Sequence, residues 1–369
     1  MASPDVVVVG GGVVGAACAR WLAQRGLGVR ILDSAAEDGV ASAAAPGLLA
    51  PLAGTTADDP LLSLKVRGRD LYHDVAPSLK EETGIDIRLW TEGIVHVALT
   101  RDDISRLTDQ IAWQRQMGFK SDWLSLDDLR QRHPGVSPRA LGAKLMPEGG
   151  VLDPRLLVEA LLASAAAHGA VTARGERVTE VLTEAGSVVG VRTATETVPT
   201  GAVVIAAGAW SGQIGGLPRP LSVEPIRGQM IAVGWPDQEP PAVIYGGSGY
   251  VIQRGNEAVA GTTVEHVGFD ASVTEDGVAR VLAMVGSIFP SLDGAAVTRT
   301  WAGLRPGTPD GQPIIGRDAE VEGLWYATGH GRHGFLLAAI TGQIIAALFA
   351  GDSVEQDITS IDPARYWRI

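Results

Sequence analysis

Val6-Val7-Val8-Val9-Gly10-Gly11-Gly12-Val13-Val14-Gly15, followed after a helical stretch by Val29-Arg30-Ile31-Leu32-Asp33, decides the fold. A continuous run of β-branched residues suits a strand of a parallel sheet covered on both faces. Residues 13–25 have helical character, so the first thirty-three residues read as one strand–turn–helix–strand unit. The glycines at 10, 12 and 15 fit G-x-G-x-x-G. Gly10 permits the tight turn, Gly12 lets the backbone approach a pyrophosphate, and Gly15 lets helix and strand pack closely. The pyrophosphate then lies at the helix N-terminus beside Val13 and Val14, where unpaired N–H groups and the dipole favour negative charge. Asp33 ends the second strand, the place expected for a carboxylate on ribose hydroxyls. A glycine-rich turn without a ligand is the bland alternative. The strand before it, the helix after it and Asp33 speak against that.

Outward from this unit, 59–83 reads as helix, 85–97 as short strands, and 102–116 as helix again. Asp127 and Asp128 start another helix before His133-Pro134. Asp153 and Pro154 are a good N-cap and first residue for a helix to about 168. Residues 202–206 form an apolar strand, and 221–261 alternate with Gly and Pro punctuation, as an antiparallel sheet does. The last seventy residues return to glycine-rich turns, one strand over 324–327, and an uncharged run over 335–350. That run is shorter than the ~20 residues a bilayer requires and contains Thr341, Gly342 and Gln343, so it reads as a buried helix. The expected fold is α/β in two interleaved domains. A Rossmann-type domain comprises 1–84, 146–218 and 300–369. A smaller antiparallel-sheet domain comprises 85–145 and 219–299.

Composition narrows the function. The 369 residues are 46% hydrophobic and 20% charged, which supports a sizeable core. A net charge of −12 with no basic stretch disfavours nucleic acid. One cysteine, Cys18, forbids an intramolecular disulfide, and no signal-peptide pattern opens the chain, which together point to the cytoplasm. The seven histidines show no ligand spacing, so no metal is expected. Ser42 and Ser211 lack the context of a nucleophile elbow.

The glycine motif does not separate NAD from FAD. Two later segments do, Val203-Val204-Ile205-Ala206-Ala207-Gly208-Ala209-Trp210 and Gly329-His330-Gly331-Arg332-His333-Gly334, and Trp301-Ala302-Gly303-Leu304-Arg305-Pro306-Gly307-Thr308-Pro309-Asp310-Gly311 joins them. With Ala43-Ala44-Ala45-Pro46-Gly47-Leu48-Leu49 they resemble the D-amino-acid oxidase superfamily of flavoproteins, and within it the glycine oxidases. The resemblance implies non-covalent FAD, a small amino-acid substrate and O2, a role in thiamin biosynthesis, no membrane, and a homo-oligomer, often a tetramer. It places Ser34, Ala41, Ser42, Pro46, Gly47, Leu48, Val178, Gly208, His330, Gly331, His333, Gly334, Phe335 and Leu336 with the glycine motif against the cofactor. It also implies that Arg305 grips the substrate carboxylate, a task that suits a planar guanidinium. Tyr250 assists, and Arg332 lies near both flavin and substrate. No side chain is implied as acid or base, since the flavin takes the hydride.

Three departures from the glycine oxidase pattern stand out. Ser248 occupies a histidine position, Pro46 an alanine position and His333 an asparagine position. The first two can reshape the pocket, so glycine, sarcosine and bulkier N-substituted glycines stay open as substrates. Two other readings stay open: a D-amino-acid dehydrogenase that reduces a quinone, and a non-catalytic nucleotide-binding protein.

Overall fold

The computed structural model describes residues 3–34, 39–247 and 249–366. Strand β1 (Val6–Val9), helix α1 (Val13–Gln24) and strand β2 (Val29–Asp33) form the expected unit, with Val6 beside Val29 and Val9 beside Leu32 in parallel register. On the other edge of β1 lies Val203–Ile205, then Leu324–Thr328, both parallel, and Ile314–Arg317 closes that side antiparallel. Val171–Arg174 extends the opposite side beyond β2. The earliest strand thus lies inside a six-stranded sheet, and its glycine loop leaves from the carboxyl edge, where ligands of such sheets bind.

The run of valines is explained by what covers each face. Val6 and Val8 pack with α1, the helix Pro154–Ala167 and the helix Gly334–Phe349. Val7 and Val9 pack against Val178, Val181, Val188, Val191 and Val198 of a three-stranded antiparallel sheet spanning 178–199. With both faces buried, alternation disappears from the sequence.

Gly334–Phe349 is the apolar run of 335–350. The stretch Gly331–Phe349 is long and apolar enough to cross a membrane, with a mean hydropathy of 1.4. Its contacts are those of a core helix. A Cβ on Gly342 would stand 2.8 Å from the Ala17 carbonyl oxygen of α1, one on Gly68 would stand 2.4 Å from the Leu336 carbonyl oxygen, and the Tyr72 hydroxyl donates to the Phe335 carbonyl.

The second sheet has nine strands. In spatial order they are Gly39–Val40, Val297–Gly307, Glu224–Gly234, Glu257–Gly261, Gly249–Arg254, Val243–Gly246, Ile94–Ala98, Gly142–Met146 and Asp122–Leu124. It is mainly antiparallel, with parallel pairing of Gly39–Val40 to Val297–Gly307 and of Ile94–Ala98 to Val243–Gly246. One face carries the helix Glu275–Ile288, whose Val281, Val285 and Ile288 meet Ile231, Val251 and Ala260. The other face looks towards the six-stranded sheet.

Two details differ from the sequence reading. The helical stretch 59–83 is two helices, Leu62–Asp70 and Tyr72–Thr83. The segment beginning at Trp301, which looks like a Pro/Gly turn, is the end of the eleven-residue strand Val297–Gly307, so a division at residue 300 runs through a strand. Pro306 is tolerated because it lies opposite Pro225 near the end of the ladder, where neither can donate a bond. The Asp153 cap is present: its carboxylate accepts from the N–H groups of Arg155 and Leu156 at 3.0 and 3.2 Å.

In most helices Gly→Ala stabilises by about 0.5–1 kcal/mol. At Gly15 the sign reverses, since a Cβ would stand 2.0 Å from the Gly10 carbonyl oxygen. Gly15→Ala is expected to destabilise the fold by about 1–3 kcal/mol, as overpacking does, read as a lower midpoint in chemical denaturation with unchanged slope.

Candidate functional site

A cleft of about 2300 Å³ opens between the two sheets. At its first end the wall is bare backbone. Gly10 has φ +104, and a Cβ there would lie 2.6 Å from the Ala206 carbonyl oxygen; one on Gly11 would lie 2.3 Å from Asp33 Oδ2. Helix α1 begins at Gly12 without a side-chain cap, and the Val13 N–H donates to Ser42 Oγ at 3.0 Å. Val14, Asp33, Ser34 and Val178 line the same end, as do Ala41, Ser42 and Gly208. Gly15 does not line the cleft; its part is to let α1 approach β1. A surface of small residues and unpaired N–H groups at a helix start fits a pyrophosphate, and Asp33 beside it fits a ribose.

Further along, the segment Pro46-Gly47-Leu48 forms one wall. Two side chains fix it. Arg254 donates to the Pro46 and Leu152 carbonyls at 2.7 and 3.0 Å, and the Trp301 indole N–H donates to the Ala44 carbonyl at 3.0 Å. Gly47 has φ +73, and a Cβ there would stand 2.1 Å from the Leu152 carbonyl oxygen.

The facing wall is the turn Gly329 to Gly334 and the start of the helix Gly334–Phe349, with Phe335 and Leu336. His330 is buried and shares a 3.0 Å hydrogen bond with Thr341 Oγ1; burial lowers its pKa to about 3. Loss of solvent, and then Lys65, Arg332 and His330, hold His333 well below its ordinary value, and its Nε2 accepts from Arg332 Nε at 3.3 Å. Both imidazoles are neutral. Lys65 is buried on this side of the cleft and ion-pairs with Asp59 at 2.6 Å. Burial pulls its pKa down, Asp59 pushes it back up, and Arg332 lowers it again. No acidic residue stands in the first turn of Gly334–Phe349, so its N-terminus adds to a positive local field.

At the other end Arg305 projects from the long strand. Its Nη2 donates to Thr262 Oγ1 at 2.7 Å and its Nη1 to the Thr263 carbonyl at 3.3 Å. It lies across Gly228 of the neighbouring strand, where a Cβ would stand 2.1 Å from Nη2. Among the described residues no carboxylate lies within 4 Å of this half-buried cation. Burial lowers its pKa, Tyr250 raises it and Arg332 lowers it, yet a guanidinium stays charged. Tyr250 is 7% exposed, and the best partner for its hydroxyl is Met230 Sδ at 3.6 Å. Burial raises its pKa above the ordinary value, so the phenol is protonated and free to donate. Arg332 is exposed at the rim, near Gly54. The structure thus brings Arg305, Tyr250 and Arg332 to one cleft. Ser248 lies outside the described residues.

Four residues here escape a reading of the sequence alone: Lys65, Arg254, Gly228 and Thr262. Gly228 and Arg254 lie in the alternating 221–261 region and Thr262 just beyond it, but nothing local marks the partner of any of them.

Comparison with known proteins matches residues 5–348 to the family described as FAD dependent oxidoreductase. The glycine oxidase of Geobacillus kaustophilus strain HTA426 is 32% identical over 366 residues, covering 98% of this chain and 96% of that protein. The crystal structure of glycine oxidase from Geobacillus kaustophilus superposes with a TM-score of 0.93 at 31% identity, covering 98% of each chain. That of iminodiacetate oxidase from Chelativorans sp. BNC1 gives 0.87 at 26% identity, covering 97% of this chain and 98% of that one. The chain belongs to the FAD dependent oxidoreductase family: it is an enzyme whose cofactor is FAD.

Proposed function

We propose that the protein oxidises glycine or an N-substituted glycine at the carbon–nitrogen bond, with O2 as the electron acceptor. The observation that carries this reading is Arg305, a half-buried guanidinium with no carboxylate partner among the described residues, facing the cleft beside a protonated Tyr250. Its planar fork matches the two oxygens of a carboxylate, and the Tyr250 hydroxyl adds one donor. Together they fix the α-carbon, and fixed orientation is a large part of what such a site supplies.

FAD held along the glycine loop, Asp33 and the wall from Pro46 to Leu48 would supply the redox chemistry, as the acceptor of the substrate's hydride and the donor of two electrons to O2, which with two protons gives hydrogen peroxide. The chain's own residues prepare the substrate. The amine must be neutral to yield its electron pair, and the cations Arg305, Arg332 and Lys65 all disfavour an ammonium nearby. The positive start of Gly334–Phe349, with Arg332, favours negative charge accumulating on that side. The substrate leaves as an imine and hydrolyses to glyoxylate and ammonia or an amine. The small side chains of Ala50 and Ala53 line the cleft together with Tyr245 and Tyr250, which suits a substituent on nitrogen. Iminodiacetate, named for one structural relative, is itself an N-substituted glycine.

The cofactor is held without a covalent bond to cysteine. Cys18 is buried on α1 in the core beneath the first sheet, and burial pushes its thiol up to about 12. Acid precipitation is expected to release intact FAD into the supernatant; flavin that stays with the polypeptide would contradict this. Asp33→Ala is expected to weaken FAD binding by about 1–3 kcal/mol, the cost of one charge-assisted acceptor, measured by titrating apoprotein with FAD. An unchanged dissociation constant would remove Asp33 from the ribose site.

Arg305→Ala is expected to lower kcat/KM on glycine and on sarcosine by about thirtyfold to several thousandfold, from roughly 2–5 kcal/mol of lost binding and orientation. Arg305→Lys recovers only part, because a point charge does not reproduce the fork. Tyr250→Phe costs about 1–2 kcal/mol. FAD content should stay at the wild-type level in all three. Peroxide formation in an oxygen electrode, with both substrates side by side, decides the reading; wild-type rates in Arg305→Ala would place the carboxylate elsewhere.

A further inference from the structure

One row of residues crosses the nine-stranded sheet on the face that floors the cleft. Backbone register sets Trp301 beside Met230, Met230 beside Gly261, Gly261 beside Tyr250, and Tyr250 beside Tyr245. The row continues with Tyr245 beside His96, His96 beside Lys144, and Lys144 beside Trp123. Direct neighbours in register share a face. The row therefore leads from the proposed carboxylate site to His96 and Lys144, two side chains that the proposed oxidation does not use.

His96 lines the cleft, is 7% exposed, and among the described residues has no hydrogen-bond partner on either ring nitrogen. Buried polar atoms are nearly always paired, and one left unpaired costs free energy that a ligand can recover. Its ring packs against Tyr245 at 5.9 Å. Lys144 is fully buried, and its ammonium donates to Gln110 Oε1 at 2.7 Å and the Leu52 carbonyl at 3.4 Å, both neutral acceptors. A third donor remains. Arg106, which also lines the cleft, is already paired with Asp103 at 2.7 Å. The group thus carries one positive charge, on Lys144, that no carboxylate among the described residues within 4 Å offsets. Burial and the neighbouring cations keep His96 neutral, with a pKa near 4, and lower Lys144 to about 8, so the ammonium is largely present at neutral pH.

The geometry points to a second anion subsite at His96, on the cleft wall, with the ammonium of the fully buried Lys144 beside it in register supplying the charge, that takes a carboxylate at the far end of the substrate's N-substituent. The inference rests on the reading that Arg305 holds the glycine carboxylate. A single uncompensated charge matches a monoanion, and a turn of the imidazole about its broad terminal torsion presents an N–H to it. Length follows from the row. Tyr250 and Tyr245 are 5.7 Å apart and Tyr245 and His96 5.9 Å, and at ~1.2 Å per extended bond a span of that size calls for an arm of several atoms and not one. The substrate class is therefore an N-(carboxyalkyl)glycine with a several-carbon arm.

The test compares N-(4-carboxybutyl)glycine with its neutral counterpart N-pentylglycine on the FAD-loaded enzyme. Dissociation constants are read anaerobically from perturbation of the flavin absorption band, and kcat/KM from oxygen consumption, with sarcosine as a reference. The wild type is expected to prefer the carboxylated compound roughly ten- to hundredfold, as a charge-assisted hydrogen bond does. His96→Leu and Lys144→Met should each reduce that ratio towards one, whereas His96→Gln, which keeps a donor, should retain part of it. Arg305→Lys should weaken both compounds alike and leave the ratio standing. Equal affinity for the two compounds in the wild type would overturn the subsite without any variant having to fold. So would a preference that survives both His96→Leu and Lys144→Met. Binding preference without oxidation of any of the three compounds would instead overturn the proposed activity and leave the subsite supported.

Discussion

The approach of α1 to β1 sets the rest of the molecule. A Cβ at Gly15 would meet the Gly10 carbonyl at 2.0 Å, so helix and loop are in backbone contact. That contact brings the start of α1 to the carboxyl edge of an interior strand, with Gly12 in place of a capping side chain. Orphan N–H groups at a helix start require a partner. The Val13 N–H finds one in Ser42, a residue brought there by the short strand Gly39–Val40, which pairs with the second sheet. Seating one helix therefore creates the dinucleotide cradle and ties it to the sheet that carries Arg305.

Charge in the cleft follows a consistent pattern. Arg305, Arg332 and Lys65 line it, and of these only Lys65 has an ion-pair partner among the described residues, Asp59. His330 and His333 are kept neutral by burial, so they add dipoles and no charge. In a chain of net charge −12 this local excess of positive charge is selective. Unpaired cations withdrawn from water are unfavourable in themselves and are relieved by an anionic ligand. A carboxylate substrate is such a ligand.

Much of the first sheet was legible in the sequence because its signals are local. The valine run, the three spaced glycines, Asp33, and the Asp153-Pro154 cap each act within a few residues. That Arg305 lines the cleft was implied only by a resemblance to known flavoproteins, since Pro306 and Gly307 disguise the strand as a turn. What disguises it is the edge of a ladder: Pro306 faces Pro225, and only the pairing partner shows that neither breaks a bond. Arg254, Lys65 and Gly228 were silent because their meaning lies in contacts distant along the chain. Arg254 reaches Pro46 across more than two hundred residues, and Gly228 matters only for the guanidinium that crosses it. The strand Val297–Gly307 runs through residue 300, where the sequence suggests a division, because a boundary in composition need not be a boundary in hydrogen bonding.

The nine-stranded sheet does more than support Arg305. Its strands lie ~4.8 Å apart, so side chains along one row form a fixed scale across the cleft floor. Trp301 at one end holds the Ala44 carbonyl of the cofactor wall, and Lys144 near the other holds the Leu52 carbonyl of the same connecting segment. The segment from Ala44 to Leu52 is thereby fastened at both ends to a single row. Cofactor wall and substrate floor cannot shift independently, because any slip in register would move both carbonyl contacts together. With Tyr250 and Tyr245 between these fastenings, the length of this part of the cleft is set by strand spacing, a quantity the backbone fixes and side-chain packing can change little.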